Sequence, residues 1–229
     1  MSWLRKTRIG MFLAALILCT MCFSGNAFAV HTRVGVAAAR SYVSSSYEGR
    51  VIIYAGDSRT MYMTADNLSS ERKNAAFCWV NGGNISVISA NGKLTPYLKN
   101  LIKRYRKHCV VVMNFGFNGN SNAEKNSRRV IKVYRRWMKD YPDVQFLVES
   151  VNPSGYSTGT YSNIKVDKLN KALKSEFQDQ YMDISKKLLD SGAVTRAGKG
   201  LRDKRHYKTN VSKRIYRYIR AFIADYDFS

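Results

Sequence analysis

The sequence predicts an α/β protein in which a parallel β-sheet is sandwiched between helices. Three observations carry that expectation. Short apolar runs alternate along the chain with longer segments of helical periodicity, the order that produces parallel strands joined by crossover helices. The run Val110-Val111-Val112-Met113 is apolar without interruption, as suits a strand buried on both faces. The connections after these runs gather Gly, Asn, Asp and Ser, the residues that favour turns.

The elements follow in order. Arg5, Lys6 and Arg8 precede an apolar stretch over residues 11–18, and Ala27-Phe28-Ala29 supplies a small-x-small site. That order predicts a secretory signal peptide over residues 1–29, cleaved after Ala29. The stretch is shorter than the about 20 residues a membrane span needs, so cleavage is expected rather than a retained anchor. Residues 30–49 lack periodicity and read as an N-terminal arm or linker. Residues 50–229 then form one domain, long enough to bury a core.

Within it, residues 51–55 are the first predicted strand and residues 75–80, with Cys78 and Trp79, the second. A helix is predicted over 94–107, where Leu94, Tyr97, Leu98, Leu101, Ile102 and Tyr105 recur at helical spacing. The third strand is 110–113. Another helix covers 123–139, with Val130, Val133, Tyr134 and Trp137 on one side. Strand 144–148, helix 164–177 and a short strand 181–184 follow. The last helix carries Ile215, Tyr218, Ile219, Phe222, Ile223 and Tyr226 on one face and Lys213, Arg214, Arg217 and Arg220 on the other. Closure over the sheet is the expected fate of that apolar face, ahead of a membrane surface.

The chain has 229 residues and a formal net charge of +22. Loss of residues 1–29, which hold three basic residues and no acidic one, leaves +19. So strong a field attracts polyanions. For an exported protein the partners expected are anionic cell-wall polymer, acidic polysaccharide or a membrane surface. Nucleic acid is not expected, because the basic residues are dispersed and no nucleic-acid module is recognisable. Of four cysteines, Cys19 and Cys22 leave with the signal. Cys78 and Cys109 are no disulfide framework and read as buried thiols, with one bridge possible.

In open parallel sheets the functional crevice lies beyond the carboxyl ends of the strands. The loop after the first strand carries Gly56-Asp57-Ser58, and that after the second Asn81-Gly82-Gly83-Asn84. The third is followed by Phe115-Gly116-Phe117-Asn118-Gly119-Asn120, and Asp203-Lys204-Arg205-His206 precedes the last helix. A serine hydroxyl becomes a nucleophile when a base takes its proton, and histidine titrates in the right range. Of three histidines, His31 follows the signal and His108 sits in a basic junction, which leaves His206. Asp203 stands three residues before it, placed to orient the imidazole. A loop glycine and the Asn118 amide are donors suited to an oxyanion. By itself each feature is also an ordinary turn; together they fall in order on one edge of one sheet. The Gly-x-Ser-x-Gly elbow of α/β-hydrolases is absent, since Thr60 stands where its second glycine belongs.

Gly56-Asp57-Ser58, the loop glycine, Gly116-Phe117-Asn118 and Asp203-x-x-His206 resemble the four blocks of the SGNH (GDSL-like) hydrolases. The similarity spans roughly residues 50–224 and includes residues 146–153, FLVESVNP. It implies a three-layer α/β/α fold with a five-stranded parallel sheet of flavodoxin-like topology. It implies a secreted bacterial serine esterase or O-acyltransferase. The sequence carries no metal-ligand cluster, P-loop or dinucleotide fingerprint, so no cofactor or metal is expected, and a monomer is expected. Ser58 would be nucleophile, His206 base and Asp203 its partner, with an oxyanion hole of Ser58 N–H, Gly83 N–H and the Asn118 side chain. Gly82 competes with Gly83 for that place. The chain departs from the family at Gly119, where aspartate is common, and at Lys204-Arg205, where a small and apolar pair is usual. Small acyl esters of carbohydrate, acetyl above all, are the substrates expected. A lipid esterase or lysophospholipase, and an inactive fold that binds anionic wall polymer, are the alternatives.

Overall fold

Alternation along the strands builds two cores, one on each face of the sheet. Val51, Ile53 and Ala55 bury on one side, Ile52 and Tyr54 on the other, because successive side chains point to opposite faces. The computed structural model describes residues 39–43 (backbone only), 50–66 and 74–226. The predicted signal peptide lies outside the described residues.

Six strands form one sheet: β1 (Ala39–Val43), β2 (Val51–Gly56), β3 (Ala75–Val80), β4 (Cys109–Asn114), β5 (Gln145–Glu149) and β6 (Tyr181–Met182), in spatial order β1-β3-β2-β4-β5-β6. From β2 onward every pairing is parallel. Strand β1 is the exception to the five-strand expectation. It runs antiparallel on the outer edge of β3, from Ala39 opposite Val80 to Val43 opposite Ala76. Part of the stretch read as arm or linker is therefore an edge strand. Edge pairing satisfies backbone groups and demands no apolar periodicity, so the pattern gave no sign of it.

The helices are α1 (Ser58–Asp66), α2 (Thr95–Tyr105), α3 (Ala123–Asp140), α4 (Asn163–Phe177), α5 (Ile184–Asp190) and α6 (Thr209–Asp225). Helices α2, α3 and α4 cover the face formed by Ile53, Val111, Met113, Phe146 and Val148. Helices α1, α5 and α6 cover the face formed by Ile52, Tyr54, Val112 and Leu147. The result is the three-layer α/β/α arrangement. Two of these helices escaped the sequence pattern. Ser58, expected on a loop, is the first residue of α1, and Ile184, expected in a strand, opens α5 after a two-residue β6. Helix α6 buries Val211, Ile215, Tyr216, Ile219 and Ile223 on the sheet. There Tyr216, Tyr54 and Phe77 form an aromatic cluster, with Tyr54 stacked on Phe77 at 4.7 Å. Aromatic pairs of this kind add about 0.5–1.5 kcal/mol beyond their buried area.

Cys78 and Cys109 are both buried free thiols. Burial pushes Cys78 up and Cys109 up to about 12, so neither is a ready thiolate.

Taken alone, the parallel strands have the order β3-β2-β4-β5-β6, and the strand order reverses at β2. The crevice expected at such a switch point opens at the carboxyl ends of β2 and β4. Gly56 ends β2 there in close quarters. A Cβ at this position would collide with Thr60 Oγ1 and come within 2.9 Å of the Asn114 carbonyl oxygen. Gly56→Ala is expected to lower stability by about 1–3 kcal/mol, the usual cost of forced overpacking. Chemical denaturation of the variant beside wild type measures it.

Candidate active site

The turn from β2 into α1 explains why an aspartate precedes the serine. Asp57 is fully buried, and its Oδ1 accepts the backbone N–H of Arg59 at 2.8 Å, capping the first turn of α1. Its Oδ2 accepts Asn118 Nδ2 at 3.0 Å. One carboxylate thus starts the helix that carries Ser58 and ties down the loop after β4. Burial raises the Asp57 pKa, against the lowering charge of Arg59 and the Arg59 backbone bond.

Ser58 Oγ lies 2.9 Å from His206 Nε2, across 148 residues of sequence. His206 Nδ1 lies 2.8 Å from Asp203 Oδ2. Asp203 Oδ1 in turn accepts the backbone N–H groups of Arg205 and His206 at 2.7 and 2.9 Å. Partial desolvation pushes the Asp203 carboxyl up, but the His206 side-chain bond and these two N–H groups outweigh it, and the pKa is held below its ordinary value. The ring of Tyr62, from α1, packs against the imidazole at 4.5 Å. His108 is exposed and leads into the amino end of β4, the edge of the sheet away from this crevice. His31 lies outside the described residues.

The expected oxyanion donors are arranged differently from one another. Ser58 N–H belongs to the first turn of α1, where N–H groups have no intrahelical acceptor. Asn118 Nδ2 donates to Asp57 Oδ2 and, at 3.1 Å, to the Gly83 carbonyl. The Gly83 N–H corrects the expectation: it donates to the Val80 carbonyl at 3.0 Å, closing the turn after β3. Gly83 therefore faces the site through its oxygen, not its nitrogen. Gly82 is exposed, with φ +69°, and makes the left-handed bend of that turn.

Two site residues were not legible in the sequence. Arg59, only 5% exposed, sends Nε to the Arg205 carbonyl at 3.1 Å and Nη1 to the Asn152 carbonyl at 2.7 Å. Its guanidinium lies 3.6 Å from the Phe117 ring centroid. In so basic a chain a single arginine reads as solvated surface. Glu149, at the end of β5, is buried and accepts Asn114 Nδ2 and, at 2.7 Å, Asn152 Nδ2. An acid closing the apolar run Phe146-Leu147-Val148 was the available signal. Burial lifts Glu149 to about 7 against those two bonds and the nearby Arg59 charge. Among the described residues, no group of three or more His, Cys, Asp or Glu side chains comes together as metal ligands.

No family model matches this sequence, and no curated protein matches it. Solved structures do. A member of the lipolytic G-D-S-L family from Veillonella parvula superposes with a TM-score of 0.56 at 12% identity, covering 77% of this chain and 100% of that one. A lipase/acylhydrolase from Enterococcus faecalis gives 0.54 at 13%, covering 76% and 95%. An acetylxylan esterase from Geobacillus stearothermophilus gives 0.52 at 10%, covering 78% and 95%. The chain has a hydrolase-type α/β/α fold. Within that class it is the SGNH (GDSL-like) hydrolase fold, as the sequence blocks predicted.

Two outcomes follow from the buried charges. The folded chain keeps a proton on Glu149 that the unfolded chain, with an ordinary value of 4.5, releases between pH 4.5 and about 7. Stability from the protonated group is complete below pH 4.5 and is lost as the pH rises through 7, by about 3 kcal/mol. Glu149→Gln cannot titrate, so its stability measured from pH 4.5 to 7.5 is expected to lack that part of the wild-type decline. Arg59→Lys, which lacks a planar fork, is expected to be less stable by about 2–3 kcal/mol, since one ammonium cannot serve two carbonyls and an aromatic face together. Urea denaturation at fixed pH reads this directly.

Proposed function

We propose that the protein is an exported serine esterase or O-acyltransferase that acts on small acyl esters, acetyl first, carried by carbohydrate. The observation behind this reading is the 2.9 Å approach of Ser58 Oγ to His206 Nε2, with Asp203 on the other ring nitrogen. In the proposed reaction His206 Nε2 takes the Ser58 proton as Oγ attacks the ester carbonyl carbon. The carbonyl oxygen becomes an oxyanion, met by Ser58 N–H and by Asn118 Nδ2 once that amide turns a hydrogen away from the Gly83 oxygen. Collapse breaks the bond to the alcohol oxygen, which receives the proton from His206. Water, or a sugar hydroxyl in transfer, then attacks the acyl-enzyme by the same steps in reverse roles, and Ser58 regains its proton. Asp203 holds the ring and supports the imidazolium without taking the proton.

Export is argued from residues 1–29, and a glycan from the tyrosines Tyr156 and Tyr161 beside the His206 loop. The acetylxylan esterase among the structural neighbours supports an acetyl ester. The cationic and aromatic flank of the site favours a glycan over a lipid ester. An inert binding fold would have no use for a serine and an imidazole in hydrogen-bond contact.

The full chain is expected to hydrolyse 4-nitrophenyl acetate. Ser58→Ala and His206→Ala should lower kcat by about 10^4-fold or more. A fluorophosphonate probe should label wild type at Ser58 and leave Ser58→Ala unlabelled. Wild type no faster than either variant, together with an unlabelled Ser58, would return the protein to the binding class.

A further inference from the structure

Two stacked rings lie between two cations beside Ser58 and His206. Arg59, adjacent to Ser58, lies against Phe117 at 3.6 Å. Phe117 stacks on Tyr161 at 4.9 Å and 26°. Arg205, adjacent to His206, lies 4.4 Å from the Tyr161 centroid. The Arg59 end is buried and bonded to two backbone carbonyls. The Arg205 end is exposed to solvent.

Arg205 is held without being consumed. Tyr161 supports its face and Tyr156 Oη receives Nε at 3.3 Å. Its two Nη nitrogens have no hydrogen-bond or ion-pair partner among the described residues. The nearest acid in sequence, Asp203, is turned toward the His206 ring and two backbone N–H groups. Lys204, also without an ion-pair partner among the described residues, stands over the Tyr156 ring at 5.7 Å. A surface arginine ordinarily loses side-chain freedom when it binds; one already stacked and tethered has less to lose. A guanidinium fork with free Nη groups fits the oxygens of a carboxylate or phosphate bidentately.

We infer that Arg205, backed by Lys204, is a subsite for an anionic oxygen group carried by the substrate near its acyl ester. The substrate class is therefore an acylated anionic glycan. This rests on the esterase reading for calling the ligand a substrate; anion recognition itself is tested by binding alone.

The full chain bearing Ser58→Ala, which binds without turnover, is titrated calorimetrically with three probes. These are an oligogalacturonate (carboxylate), a glycerol-phosphate oligomer (phosphate) and a neutral xylo-oligosaccharide. At least one anionic probe should bind tenfold or more tighter than the neutral one, and which of them does so identifies the source of the charge. Adding Arg205→Ala should remove about tenfold of that advantage, Arg205→Lys should keep part of it, and rising salt should erode it. Lys107→Ala, an exposed basic residue on the Arg106–His108 turn, should leave the advantage intact. Equal binding of all three probes overturns the subsite. So does an advantage that survives Arg205→Ala, or that falls as far with Lys107→Ala, which would make it an effect of net charge. Loss of acetate release and probe labelling would defeat the esterase reading without touching these results.

Discussion

A guanidinium buried beside Ser58 joins the loops on which the candidate site depends. Ser58 and His206 are separated by 148 residues, and loop ends that far apart stay within hydrogen-bond reach only if something rigid spans them. Arg59 does so from the next residue along. Its Nε grips the backbone next to His206, its Nη1 grips the loop after β5, and its face covers Phe117 next to Asn118. Desolvated cation–π contacts and hydrogen bonds to a charged donor are among the stronger side-chain interactions in a protein. The approach of Ser58, His206 and Asp203 is thus held by a residue outside that group.

Two buried acids complete this support. Asp57 acts at the start of α1 and on Asn118, so that Ser58 and the Asn118 amide share one anchor. Glu149 collects Asn114 from the end of β4 and Asn152 from the loop after β5. Each lies at the carboxyl end of the sheet, where parallel strands stop and their loops need partners. Buried polar groups of this kind are useful only when satisfied, and here both acids accept two hydrogen bonds. The result is a connected polar network laid on strand ends, next to Ser58 and His206.

The positive charge of the chain takes two forms at this edge of the molecule. Arg59 is buried and spent on carbonyls. Lys204 and Arg205 are exposed, and rings rather than carboxylates hold them in place. A cation stacked on a ring keeps its charge available, whereas one in an ion pair does not. Arg202 shows the contrast two residues before Lys204: it is paired with Asp66.

Local pattern alone was enough for the parallel strands, the three long helices α2, α3 and α4, and the closing helix α6. Strand period and helix period are written into which residues are apolar, and burial enforces them. Gly56-Asp57-Ser58, Asn118 and Asp203-x-x-His206 were legible because chemistry and turn formation demand particular residue types at particular spacings. Tertiary structure alone decided the rest. The edge strand β1 arises from pairing to β3, which leaves no mark in composition. Helix α1 starts at Ser58 because the Asp57 carboxylate caps it, while Gly83 turns its oxygen to the site because its N–H closes a turn on Val80. Whether Arg59 and Glu149 are surface charges or buried struts depends on carbonyls and amides contributed by segments remote in sequence. No reading of neighbouring residues contains that information, because the partners meet only when the sheet brings its strand ends together.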